Sequence, residues 1–314
     1  MTRPPYPTLA RTVGLLLGTL LLAAVLAGVT VVLFPDWPDI AQMAAPTEIA
    51  LAVAILYAIR RTKLPWREAI ALHPVEKRSL APLVLVVLGS VTVFSELYVV
   101  IQRIVPVPEM FESMLRDLLE MSGTGDMIAT LLIAVVIAPT LEEALFRGVL
   151  LQGLARRYGP HTASFWTAVF FALFHLYNPW QILPTFFLGL ILAWVVLATR
   201  TLVAAIIVHS VFNGLSLAIA QATFMESVPS ETPGTWFVAV LVLALLLGSL
   251  ALLIGLVWLE GQTGGGWFGK PGDGPDAQGG RNGKESEEAA RRVVRYPAGS
   301  TSSESRAGPY TARG

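Results

Sequence analysis

Apolar runs of about 20 residues recur along most of this chain, and a lipid bilayer is the solvent that suits them. A hydrocarbon core of ~30 Å takes roughly 20 helical residues to cross, because each residue rises ~1.5 Å. Eight such runs are present, at 13 to 34, 41 to 59, 81 to 101, 127 to 150, 163 to 178, 181 to 199, 202 to 222 and 236 to 258. The second is interrupted by Pro46 and Glu48, and the fifth is short before the turn signal Asn178-Pro179. The pattern predicts an all-α fold, a polytopic membrane helix bundle of about eight transmembrane helices. The first run follows Arg3 and Arg11 as a signal peptide would, but it exceeds the ~7–15 residues of a signal h-region and reads as an uncleaved helix.

Charge fixes the expected orientation. Arg and Lys collect in cytoplasmic loops, and here every second loop is basic. Arg3 and Arg11 precede the first run; Arg60, Arg61, Lys63, Arg67, Lys77 and Arg78 follow the second; Arg156 and Arg157 follow the fourth; Arg200 follows the sixth. The intervening loops carry Asp36 and Asp39, then Glu109, Glu112, Asp117, Glu120 and Asp126, then Glu226 and Glu231. Both termini are therefore expected in the cytoplasm (N-in/C-in). With a formal net charge of zero, the chain has no basic field to attract nucleic acid, and with no cysteine it has no disulfide or thiolate chemistry. Residues 1–260 read as one transmembrane domain. Residues 261–314 turn abruptly to Gly, Pro, Ser and charge, as in Gly264-Gly265-Gly266, which predicts a disordered cytoplasmic tail. Within it, Glu287 and Glu288 before Arg291 and Arg292 would support at most a short exposed helix.

Ionisable groups inside membrane spans cost at least ~2.5–3.5 kcal/mol at mid-helix, so each needs a reason. The fourth run holds Glu142, Glu143 and Arg147, the fifth His175, and the seventh His209 with Asn213, whereas His73 and His161 fall in loops. Pro139 is expected to break the helix, leaving Thr140 as N-cap with Glu143 three residues on, a capping box. Glu143 also precedes Arg147 by four residues, the spacing of a same-face ion pair. Glu142 lies ~100° around the helix from Glu143 and has no cation of its own, which suits a general base better than a structural residue. His209 and Asn213 share a helix face and offer two donors to a developing oxyanion, or serve as interhelical polar glue. His175 alone reads more readily as a satisfied interior histidine than as a catalyst. Straight spans at these boundaries put Glu142, His209 and Asn213 in the cytoplasmic half and His175 nearer the other side.

Glu-Glu-x-x-x-Arg on one span, Phe-x-x-x-His on the next and His-x-x-x-Asn on a later one, in this order, resemble the CPBP family of CAAX prenyl proteases and bacteriocin-processing (Abi) proteins. The resemblance covers the motif core, residues 81–222. It implies an intramembrane endopeptidase in which Glu142 activates the attacking water, His175 helps to hold it, and His209 with Asn213 stabilises the oxyanion. Glu143 and Arg147 would support that geometry. It further implies glutamate catalysis without a metal or other cofactor, and a membrane-associated peptide or protein as substrate, with a bacterial inner membrane as the expected location.

Two other readings remain at this stage. A zinc hydrolase would use Glu142, Glu143 and the histidines as ligands. A scaffold, immunity-type protein or transporter would use the same charges to lock helices or line a path, although no inverted repeat is evident. Gly14-x-x-x-Gly18 matches a helix-dimerisation spacing that two glycines often meet by chance.

Overall fold

The computed structural model describes residues 6–35, 37, 39–111, 113, 123–225 and 235–263. Its elements are α1 (Leu9–Leu33), α2 (Asp39–Thr62), the short α3 (Trp66–Ala69), α4 (Leu80–Ile104), α5 (Thr124–Tyr158), α6 (Pro160–Phe174), α7 (Ile182–Thr199), α8 (Leu202–Met225) and α9 (Thr235–Thr263). The chain is helical throughout these elements. The predicted tail lies outside the described residues beyond Thr263, as do Glu112, Asp117, Glu120, Glu226 and Glu231.

Among the described residues, seven helices are long and apolar enough to cross a membrane: α1, α2, α4, α5, α7, α8 and α9. The expected eighth, 163 to 178, is instead the 15-residue α6, which stops at Phe174. At ~1.5 Å per residue it reaches about 22 Å, short of the bilayer core. A turn at 175–178 continues the path, and the Trp180 indole then donates to the Val105 carbonyl at 2.7 Å, tying the α6–α7 connection to the end of α4.

The outward faces explain the composition. Leu17 is 61% exposed, Val32 75% and Leu246 63%, a distribution that water would penalise and lipid does not. Inside, one apolar cluster joins α4, α5, α7 and α8 around Leu192, Ala193 and Val208, and a second joins α1, α2, α5 and α6 around Leu51, Phe146 and Phe171. The antiparallel α4 and α9 pack backbone to backbone. A Cβ on Gly89 would lie 2.6 Å from the Gly248 carbonyl, so only glycine fits this crossing.

Helix α5 departs from expectation in two ways. It runs unbroken from 124 to 158 rather than 127 to 150, and Pro139 does not end it. The wide-turn (π-type) segments Leu132–Ile137 and Ala144–Leu151 flank an ordinary turn at Ala138–Glu143, and the wider winding makes room for the pyrrolidine ring. The capping box is corrected with it: the Thr140 hydroxyl donates back to the Val136 carbonyl at 2.6 Å instead of capping a new helix start.

Candidate active site

The extra length of α5 brings the candidate residues to one level. From the Tyr158–Pro160 corner, Glu142 lies a little over 20 Å back along α5 and His175 a little over 20 Å along α6. Helix α8 starts inside the bundle, where the Leu202 N–H donates to the Ala71 carbonyl at 2.9 Å and Ile70, next to it, packs on Gly148. His209 stands about two turns from that point along α8, and Glu143 about one and a half turns from Gly148 along α5.

Glu143 is the hub. It is fully buried, and its Oε1 accepts from Arg147 Nη1 at 2.8 Å and from His209 Nδ1 at 2.9 Å. An ionised carboxylate only accepts, so the Nδ1 proton of His209 must point at Glu143, leaving Nε2 on the opposite side of the ring. That Nε2 lies 3.9 Å from Glu142 Oε2. Arg147 is also fully buried; its Nη2 donates to the Gly189 carbonyl at 3.2 Å and its guanidinium lies 4.2 Å from the centre of the Phe171 ring. The Glu143–Arg147 pair expected from spacing is thus present, and it orients a histidine from another helix as well.

Phe171 joins the remaining parts. Its ring meets His175 edge-on at 4.8 Å and His209 at 5.8 Å, with Arg147 over its face. His175 ends α6, and its Nδ1 lies 2.8 Å from the Phe171 carbonyl, an acceptor; Nδ1 therefore donates, and in the neutral ring Nε2 is the nitrogen left to accept. Asn213 donates from Nδ2 to the Ala134 carbonyl at 3.0 Å. The reason is local. In the wide-turn segment the Ala138 N–H bonds the Ile133 carbonyl, five residues back. The next donor in that series would be Pro139, which has no N–H, and the asparagine amide takes its place.

Two residues near Glu142 were not singled out from sequence. Glu48 on α2 lies within electrostatic range of Glu142, and its buried Oε2 has no hydrogen-bond partner among the described residues. Tyr177, just past His175, faces the same two carboxylates. Glu48 did carry a signal, since an acidic side chain within an apolar span is a functional candidate by default. Tyr177 carried none. Among the described residues no three His, Asp or Glu side chains are grouped to hold a metal ion.

Residues 124–215 match the family model of the type II CAAX prenyl endopeptidase, Rce1-like. This stretch of the chain is similar to that family. The Rce1-like segment opens at the first residue of α5 and closes just past Asn213, so it contains Glu142, Glu143, Arg147, His175, His209 and Asn213 and leaves Glu48 outside. No curated protein and no solved structure matches the chain.

Proposed function

We propose that this protein is an intramembrane endopeptidase that hydrolyses a peptide bond with a water activated by Glu142. The observation that carries this reading is the double use of Glu143: held by Arg147, it fixes His209 so that Nε2 and the Glu142 carboxylate face each other at 3.9 Å. Such a pair suits a reaction that moves a proton and develops a negative oxygen.

In the proposed sequence, Glu142 takes one proton from water while the His175 Nε2 lone pair accepts a hydrogen bond from the O–H that remains on the resulting hydroxide. The hydroxide oxygen bonds to the scissile carbonyl carbon, and the carbonyl oxygen becomes an oxyanion. His209, protonated at both nitrogens and steadied by Glu143, donates from Nε2 to that oxyanion. Asn213 supplies a second donor through the amide hydrogen not used on Ala134. Glu142 returns its proton to the leaving nitrogen as the C–N bond breaks. Glu142, Glu143, Arg147 and doubly protonated His209 together sum to zero charge, which a dry interior favours. The substrate is a membrane-associated peptide segment, and the positive-inside pattern supports a cytoplasmic side for both termini.

The test is incubation of the purified protein in detergent with a mixed peptide library, beside Glu142→Gln. Cleavage by the parent alone is expected. Turnover retained by Glu142→Gln would remove Glu142 from the mechanism.

A further inference from the structure

A cavity of about 500 Å³ runs along the packed pair α1 and α2, and none of the glutamate-site residues lines it. Its charged and phenolic lining is confined to one end, where Tyr6, Arg11, Tyr57 and Arg61 converge. Tyr57, Arg61 and Arg11 all act electrostatically on the Tyr6 phenol, and the Arg61 guanidinium lies 6.0 Å from the centre of the Tyr57 ring. Among the described residues neither Arg11 nor Arg61 forms an ion pair with a carboxylate. This end of the cavity thus carries two cations and two phenols with no anion to match them.

Apart from Thr19, whose hydroxyl donates to the Leu15 carbonyl at 2.8 Å, the rest of the lining is apolar. Gly14 and Gly18 form its floor on α1, and a Cβ built on either would meet nothing within 4 Å. These glycines do not seat a tight helix crossing within the chain; they hollow out the helix face. The opposite holds at Gly153 on α5, where a Cβ would collide with the backbone of Tyr6 and with Pro7. Glycine there lets the segment before α1 lie against α5, which holds Tyr6 at the cavity mouth. From Arg11 to Leu22 the groove descends roughly 17 Å along α1. That is about one leaflet of a ~30 Å hydrocarbon core.

We propose that this cavity binds one anionic phospholipid, with its phosphate between Arg11 and Arg61 and one acyl chain lying over Gly14 and Gly18. The charge complementarity selects the ligand: guanidinium pairs and phenol hydroxyls recognise a phosphate, and a second apolar helix laid on the glycines would leave both arginines unmatched. The depth and apolar lining accept an acyl chain, and the single polar end fixes which leaflet it comes from. Arg60 is adjacent in sequence but does not line the cavity, so it serves as a control for general attraction of anionic lipid to a basic membrane face.

Native mass spectrometry of the detergent-purified protein, offered equal amounts of phosphatidylglycerol and phosphatidylcholine, tests this directly. One phosphatidylglycerol per chain is expected to remain bound, with a preference of about tenfold or more over phosphatidylcholine. Arg11→Gln with Arg61→Gln should abolish the preference, whereas Arg60→Gln should keep it. Gly18→Leu should displace the lipid by filling the groove. The open space around Gly18 allows that change without loss of fold, which thermal unfolding of the same sample verifies. Equal retention of the two lipids by the parent, parent-like retention of phosphatidylglycerol by the double arginine variant, or an undiminished lipid peak in folded Gly18→Leu would each overturn the proposal. So would an Arg60→Gln effect as large as that of the double variant, because the attraction would then be diffuse.

Discussion

The two adjacent glutamates occupy opposite circumstances. Glu143 is fully buried and bonded to Arg147 and His209, while Glu142 keeps 13% of its side chain exposed and approaches His209 no closer than 3.9 Å. Stability and chemistry should therefore separate between neighbours. Arg147→Ala leaves the Glu143 charge buried with only a histidine to match it, and breaking a buried pair in this way costs about 3–5 kcal/mol. The expected outcome is a pronounced fall in the unfolding temperature in detergent, with loss of any cleavage. Glu142→Gln should unfold close to the parent temperature while losing cleavage. Parallel thermal unfolding of the two variants checks this, and equal destabilisation would show that Glu142 is a structural member of the same network.

At the scale of the helix, the sequence signals were partly sufficient. Glu143–Arg147 was legible because i, i+4 spacing is a local property, and the chain order of the three motifs gave the set of helices that meet. The outcome at Pro139 was not legible. Proline removes a donor in any context, but whether the helix breaks or winds wider depends on a partner far away in sequence, here Asn213 on α8. Asn213→Ala removes the donor to the Ala134 carbonyl, and side-chain hydrogen bonds in membrane proteins are worth on average ~0.6 kcal/mol and at most ~1.7. Pro139→Ala restores the missing backbone N–H. The cost of Asn213→Ala should therefore shrink in the Pro139→Ala background, giving a coupling of about 0.5–1.5 kcal/mol in a double-mutant cycle read by reversible unfolding. Strict additivity would show that Asn213 does not serve the backbone at this turn. Glu48 illustrates another limit: its position inside an apolar span was visible, but its nearness to Glu142 arises from how α2 packs on α5, which no local pattern encodes.

For the whole molecule, the decisive element is the short one. Counting only the seven long helices would place the two ends of the described chain on opposite faces, whereas the alternation of basic loops requires an even number of crossings. Helix α6 resolves this if its 15 residues and the turn after it together complete a crossing. Non-helical backbone at membrane depth is tolerated where it is buried in protein or lines a cavity, and the turn in question begins at His175, which lies against Phe171 beside the glutamate site. Stopping the helix there exposes the imidazole at the helix end instead of packing it along a helix face. The link from Trp180 to Val105 then carries the turn to the face where α4 ends. Because the protein has no cysteine, single introduced thiols report sidedness without background. Arg157→Cys, just before the α5–α6 corner, and Pro179→Cys, just after the turn, both replace exposed residues. A membrane-impermeant maleimide applied to intact cells should label Pro179→Cys and leave Arg157→Cys unlabelled until the membrane is permeabilised. Labelling of both from the same side would mean that α6 enters and leaves by one face. The candidate site would then sit in a re-entrant loop, and α5, α7 and α8 would have to be assigned new directions through the bilayer.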